Sequence, residues 1–253
     1  MTNPFSLQGK NIIVTGASSG IGQQCAIDCA STGARVVLVA RNEDRLQETL
    51  SQMDGEGHVV LSLDLTDVDV VAAKVKEIVK EIGPVAGVVN CAGVSSVTPL
   101  KLIKEEDMTT MIQTNVYSAL FLTKEVCRMG SYDKAGTSII FLSSIMGLVG
   151  ENAKTMYSLT KGALQSASRS LALELAPKKI RVNCIAPGAI ITPINVNLPH
   201  MVDSEKRAAL EARHPLGLGQ TSDISYACVY LLSDAARWVT GQVIAVDGGY
   251  TAR

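Results

Sequence analysis

Seven short apolar runs, most of them separated by helix-compatible stretches, constrain this chain more than any other feature. The predicted strands are 12–14, 35–39, 59–63, 85–89, 137–142, 180–185 and 243–246. Between them, apolar residues recur at helical spacing, as in Ile21, Cys25, Ala26, Cys29 and Ala30, or at positions 71, 75, 78 and 79. Helices are predicted from Ile21 to Gly33, and over 43–53, 68–82, 105–128 and 154–175. Strands alternating with helices at this rhythm imply βαβ units, hence a parallel sheet covered on both faces. The fold class expected is α/β, a doubly wound seven-stranded parallel sheet. The chain has 253 residues, 47% hydrophobic, with no biased linker and no internal repeat, so a single domain over 1–253 is expected. Only 187–219 breaks the rhythm. It is rich in Pro and Gly around a short predicted helix at 204–213, and a long irregular segment in a compact domain reads as a substrate lid.

Several function classes drop out on composition. Net charge is −1 and no basic stripe appears, so no nucleic-acid partner is expected. The start, M-T-N-P-F-S-L-Q-G-K, is polar, and the uncharged runs are broken by Ser, Thr, Asn, Gly or Pro. Neither a signal peptide nor a membrane span is expected. The six cysteines are scattered without a C-x-x-C, which suits free thiols in a reducing, cytoplasmic setting. His58, His200 and His214 are isolated from one another, and no metal site is expected.

Two stretches carry chemistry. T-G-A-S-S-G-I-G, residues 15–22, follows the first predicted strand and opens the first helix. Gly16, Gly20 and Gly22 there permit a tight turn and close approach of a pyrophosphate to the backbone, at a helix N-terminus that favours anions. The spacing is G-x-x-x-G-x-G rather than G-x-G-x-x-G. An NAD site calls for an acid near the end of the second strand; Val39-Ala40-Arg41-Asn42 has none, and Arg41 suits a 2′-phosphate instead. That favours NADP over NAD. Asp64, after the third strand, is suited either to the adenine amino group or to capping the helix after Thr66.

The second stretch runs from Ser144 to Lys161. Tyr157 and Lys161, four apart, share one helix face. An ammonium fixed beside a phenol favours phenolate, and such a tyrosine exchanges protons with a carbonyl or alcohol oxygen near neutral pH. Ser144, past the apolar run 139–142, can hydrogen-bond the same oxygen.

Together with D-L-T (64–66), N-C-A-G (90–93), Asn115, R-V-N-C-I-A-P-G (181–188) and V-D-G-G-Y (246–250), these stretches make the chain resemble the single-domain short-chain dehydrogenases/reductases. The pattern is most similar to the 3-oxoacyl-[acyl-carrier-protein] reductases. The resemblance implies a Rossmann-type fold, with Tyr157 as general acid/base and Lys161 tuning it and binding nicotinamide ribose. Ser144, chosen over Ser143 for its thirteen-residue spacing to Tyr157, would hold the reacting oxygen. Asn115 would hold a helix irregularity and a water leading protons to Lys161. Further cofactor contacts implied are Gly16, Ser18, Ser19, Gly20, Ile21, Gly22, Arg41, Asp64, Leu65, Asn90, Ala92, Gly93, Pro187, Gly188, Ile190 and Thr192. Cys91 stands where relatives often have Asn.

The activity implied is NADP-dependent hydride transfer at a carbonyl or secondary alcohol, with a small or carrier-bound 3-oxoacyl thioester as first substrate. Hydroxysteroids, sugar alcohols and other small alcohols are the alternative, and a non-catalytic cofactor-binding sensor or scaffold the reading from another class. An acidic carrier protein calls for basic residues beside the cleft; Lys134, Arg169, Lys178 and Lys179 are candidates, interrupted by Asp133 and Glu174. A homotetramer is implied by the family, with Leu164, Ala167, Leu171 and Leu175 available for a doubly buried helix.

Overall fold

The computed structural model describes residues 3–192 and 202–252. Seven parallel strands form one sheet in the order β3-β2-β1-β4-β5-β6-β7. They are β1 (Asn11–Thr15), β2 (Arg35–Ala40), β3 (Val59–Ser62), β4 (Gly87–Asn90), β5 (Thr137–Leu142), β6 (Ile180–Pro187) and β7 (Val243–Val246). Because β1 pairs with both β2 and β4, the winding reverses beside it, and a crevice opens outside its carboxyl end.

Alternation along each strand divides the core. Ile12, Val14, Val36 and Leu38 pack with Cys25, Ala26 and Cys29 of α1 (Gly20–Ser31) and with Ile224, Cys228 and Leu232 of α8 (Thr221–Leu232). Ile13, Val37 and Val39 face the other side. They pack with Val71, Val75 and Ile78 of α3 (Val68–Ile82), Leu122 and Val126 of α5 (Ser118–Val126) and Leu164 of α6 (Thr155–Leu175). Both faces are therefore dry, and each fully buried aliphatic side chain contributes about 1.5–3 kcal/mol.

Among the described residues the remaining α-helices are α2 (Glu43–Leu50), α4 (Glu105–Ile112) and α7 (Ser204–Glu211). Side-chain caps fix several starts: Asn42 accepts from Arg45 N, Asp67 from Val70 N, and Asp203 from Glu205 N and Lys206 N. Thus Asp67, not Asp64, caps α3. Asp64 instead accepts from the amide and hydroxyl of Thr66, at 2.9 and 2.7 Å. Those bonds hold its carboxyl below the usual range, against a small opposing effect of burial and with help from Arg41.

The predicted helix at 105–128 is divided. A π-helical turn, Gln113–Tyr117, separates α4 from α5, with Ser118 N bonding to Gln113 O across one extra residue. The helix at 221–232 was not foreseen. Its sequence, T-S-D-I-S-Y-A-C-V-Y-L-L, is rich in hydroxyl, aromatic and β-branched residues and hides its period. Reciprocal capping by Gln220 and Asp223 starts it, and burial of one face on α1 and the sheet holds it.

Candidate active site

Parallel strands bring their carboxyl ends to one edge, and nearly every residue singled out in the sequence lies there. Gly16 (φ +68°) and Gly20 (φ +57°) take left-handed backbone between β1 and α1. A Cβ on Gly22 would sit 2.3 Å from Gly16 O, so the helix passes directly against the turn. Ser19, at the helix start, is extended and makes no side-chain cap, and the first turn carries no acid. Amide groups at that end remain for an anion. Ser18 and Ile21 are half-buried in the same turn. The Thr192 methyl lies 3.5 Å from where a Gly20 Cβ would be, bringing the end of the Pro187–Thr192 segment over the glycines. A pyrophosphate therefore fits here. Gly22→Ala is expected to cost about 1–3 kcal/mol of stability by overpacking and to weaken NADPH and NADH alike. Fluorescence titration checks it; unchanged affinities would take this turn out of the site.

Along the same edge, Arg41 is exposed just past β2, and its carbonyl accepts from Ser62 Oγ at 3.0 Å. Asp64 is exposed beyond β3, while Leu65 is buried in the core. Past β4, Thr15 Oγ1 accepts the amides of Cys91 and Ala92, each at 3.0 Å, which locks that turn to β1. Burial pushes the Cys91 thiol up, so it packs as an inert side chain. Asn90 donates to Thr123 Oγ1 at 3.3 Å, and its buried Oδ1 accepts nothing among the described residues. Such an acceptor suits a donor brought by a ligand or water.

Of the four residues read as catalytic, Ser144 lies just past β5, Tyr157 and Lys161 on α6, and Asn115 in the π turn. Lys161 is 5% exposed, donates to Leu142 O at 2.7 Å and holds its ammonium 5.6 Å from the centre of the half-buried Tyr157 ring. Among the described residues no carboxylate pairs with Lys161. Burying an unpaired charge is costly, and such groups collect at functional sites. Ser143 and Ser144 separate cleanly. Ser143 Oγ donates to Lys161 O and accepts from Gln165 Nε2, so it is committed to holding α6. Ser144 Oγ accepts from Met146 N at 3.1 Å, which leaves its proton for another oxygen. Asn115 is buried and clamps Val94 through both backbone groups, at 2.7 and 2.9 Å, and donates to Thr160 Oγ1 at 3.1 Å. A Cβ on Gly93 would meet Asn115 Oδ1 at 3.1 Å and Lys161 Nζ at 3.5 Å, so the loop after β4 lies against both.

Pro187 ends β6, and Gly188 N bonds to Val246 O at 3.0 Å. Ile190, 6% exposed, bridges to Gly219, which closes the base of the expected lid. The short helix predicted at 204–213 is α7; residues 193–201, with His200, lie outside the described residues. His214 has a use that its isolated position concealed. Its Nε2 accepts from Ala189 N at 3.1 Å while Nδ1 donates to Leu210 O at 2.8 Å, tying α7 to the segment after β6. Lys154, three residues before Tyr157, was also missed: its ammonium lies 5.4 Å from the same ring's centre. The docking candidates fare differently. Lys134 precedes β5, and Lys178 and Lys179 precede β6, at the opposite edge of the sheet. Arg169 is twelve residues from Tyr157 on α6, about 18 Å along the helix.

Among the described residues no cluster of His, Cys, Asp and Glu could hold a metal ion, and no helix is long and apolar enough to cross a membrane.

Ligands of doubly wound sheets sit outside the carboxyl ends of the strands at the point where the winding reverses, and dinucleotide-dependent oxidoreductases are built this way. Comparison with known proteins narrows that class to a family. The family model described as enoyl-(acyl carrier protein) reductase matches residues 16–251. L-rhamnose 1-dehydrogenase (NAD(P)(+)) of Azotobacter vinelandii is 37% identical over 95% of this chain and 96% of its own. The 3-oxoacyl-[acyl-carrier-protein] reductase of Pseudomonas aeruginosa is 36% identical over 97% and 98%. A solved 7α-hydroxysteroid dehydrogenase, complexed with NADH and 7-oxo glycochenodeoxycholic acid, superposes with a TM-score of 0.90 at 32% identity, covering 98% of each chain. The chain belongs to the short-chain dehydrogenase/reductase family and is an oxidoreductase acting on alcohols or carbonyls.

Proposed function

We propose that this enzyme catalyses reversible hydride transfer between a nicotinamide cofactor, NADP in preference to NAD, and a carbonyl or secondary alcohol carbon. The observation that carries this is the buried ammonium of Lys161 against the Tyr157 ring. When bound, the nicotinamide supplies or accepts the hydride. Tyr157 delivers the proton to the oxygen of the reduced carbonyl, or removes it in the oxidative direction. Lys161 stands against the Tyr157 ring, and its bond to Leu142 O holds its ammonium there. Ser144 donates to the same substrate oxygen as charge develops on it. Asn115 fixes the loop after β4 against α6, and we take proton supply to Lys161 to run through water at its π turn.

Gly16, Ser18, Ser19, Gly20, Ile21 and Gly22 would hold the pyrophosphate; Asp64 and Leu65 the adenine; Asn90, Ala92 and Gly93 the ribose side. Pro187, Gly188, Ile190 and Thr192 would meet the nicotinamide, whose ribose Lys161 would also bind. Arg41 would pair with the 2′-phosphate, supported by its exposure past β2 and the absence of an acid there. Arg41→Ala is expected to weaken NADPH about tenfold or more and NADH little. Fluorescence titration with both cofactors checks it, and equal losses would remove Arg41 from phosphate recognition.

For the substrate, a 3-oxoacyl thioester is supported by the Pseudomonas aeruginosa relative, whereas the rhamnose and steroid dehydrogenases support a sugar- or sterol-type alcohol at similar identity. Lys134, Lys178 and Lys179, facing the far edge, lend nothing to carrier-protein docking. Turnover of acetoacetyl-CoA against a panel of free alcohols decides between the two. Cofactor binding with no turnover on any ketone or alcohol would favour a sensor instead. We further propose a homotetramer, supported by the groove between α5 and α6, where Leu120, Phe121 and Leu171 lie among Lys124, Arg128, Glu174 and Lys178.

A further inference from the structure

Lys154 stands half-buried at the entrance of α6, and its ammonium turns toward the loop after β4. The preceding residue, Ala153, takes left-handed backbone (φ +60°), uncommon for a residue with a Cβ, and its carbonyl accepts from Thr98 N at 2.7 Å. This contact fastens the turn before α6 to the loop after β4. Lys154 Nζ reaches the same loop, donating to Ser95 Oγ at 3.2 Å, and lies 5.4 Å from the centre of the Tyr157 ring. Lys161 lies 5.6 Å from that centre, so two cations flank one ring.

Among the described residues no carboxylate forms an ion pair with Lys154 or with Lys161. Glu151, the acid closest in sequence, is taken by Arg213 at 3.0 Å. The loop 93–100 contains no charged residue, and the first turn of α6 contains no acid. Burial holds the Lys154 ammonium below the ordinary lysine range, with Glu151 opposing only in part. A half-buried cation with one hydroxyl partner retains donors for an anion. A cation on a flexible stem would normally swing out to water; here the backbone on both sides of it is fastened.

We propose that Lys154 is the substrate-binding cation of this site, and that the substrate is a short oxo or hydroxy acid whose carboxylate it takes. The proposal rests on the hydride-transfer reading of Tyr157 and names the substrate class for it. Lys154 Nζ lies 5.4 Å from the centre of the ring whose hydroxyl would meet the substrate oxygen, so a carboxylate taken there belongs to a short acid. A neutral ester or thioester of the same chain lacks the charge and leaves the cation unanswered.

The test uses matched acids and methyl esters: 2-oxobutanoate, 3-oxobutanoate and 4-oxopentanoate, each with NADPH and NADH. The wild type is expected to prefer an acid to its ester in kcat/KM. Lys154→Met is expected to reduce that preference about tenfold or more, mainly through KM, and Lys154→Arg to retain most of it. Esters used as well as acids, or equal losses on acid and ester in Lys154→Met, would overturn the proposal. So would a variant that loses cofactor affinity instead, since the cofactor would then be the anion. Calorimetric titration of 3-oxobutanoate into the protein–NADP⁺ complex needs no turnover. Weaker binding in Lys154→Met supports the carboxylate site, and equal binding overturns it. Binding that depends on Lys154 without any hydride transfer would sink the reading of Tyr157 and leave the carboxylate site standing.

Discussion

Tyr157→Phe is expected to lower turnover by about 10²-fold or more while NADPH and NADH affinities stay near those of the wild type. The substitution removes one oxygen and keeps the ring. The ammonium groups of Lys154 and Lys161, 5.4 and 5.6 Å from the ring centre, keep their aromatic neighbour. The glycine turn is formed by other elements and is untouched. What disappears is the group that exchanges a proton with the substrate oxygen. Ser144 cannot replace it. Its hydroxyl donates a hydrogen bond but does not ionise near neutral pH, and its oxygen already accepts from Met146 N. Steady-state rates on any accepted ketone, paired with cofactor titration, give the answer. Near-normal turnover would mean that the proton travels by another route and that the Tyr157–Lys161 pairing is structural.

The fold was legible because a parallel sheet buried on both faces writes its strands as apolar runs. Ile139, Ile140, Phe141 and Leu142 show this: alternate residues enter opposite cores, so all four are apolar. Helix α8 was not legible, since its stability comes from packing on α1 and the sheet rather than from a visible period. Periodicity alone did not show the π turn, because Gln113 to Tyr117 is an ordinary helix-compatible sequence whose extra residue shows only in the hydrogen bonding; the irregularity expected at Asn115 came from the family resemblance. At the site, motifs that demand a backbone shape were readable: glycines at Gly16 and Gly20 announce left-handed turns. Contacts made across the chain were not. His214 is bound to Ala189, 25 residues away, and Lys154 to Ser95, 59 residues away, and nothing local in either stretch signals the pairing. Of the two roles open to Asp64, capping falls away, because the residue that caps α3 stands three positions later.

Lys161→Met is expected to separate function from stability. Lys161 is 5% exposed and, among the described residues, has no carboxylate partner. Among the described residues its ammonium makes one hydrogen bond, to Leu142 O at 2.7 Å. Two terms oppose each other in the variant. Leaving the Leu142 carbonyl without that donor costs about 1–3 kcal/mol. Against this, a buried ammonium carries a desolvation penalty of several kcal/mol, which an unbranched thioether of similar length does not. The second term is the larger, so thermal unfolding is expected at the same temperature as the wild type or higher. Turnover is expected to fall by about 10²-fold or more, because the cation against the Tyr157 ring is then gone. Calorimetric melting and steady-state rates measure the two sides. If stability fell together with activity, Lys161 would be a cation that holds α6 to β5 rather than one kept against the cost of its burial for proton transfer. A stable and inactive variant would mean that folding tolerates this lysine and the reaction requires it.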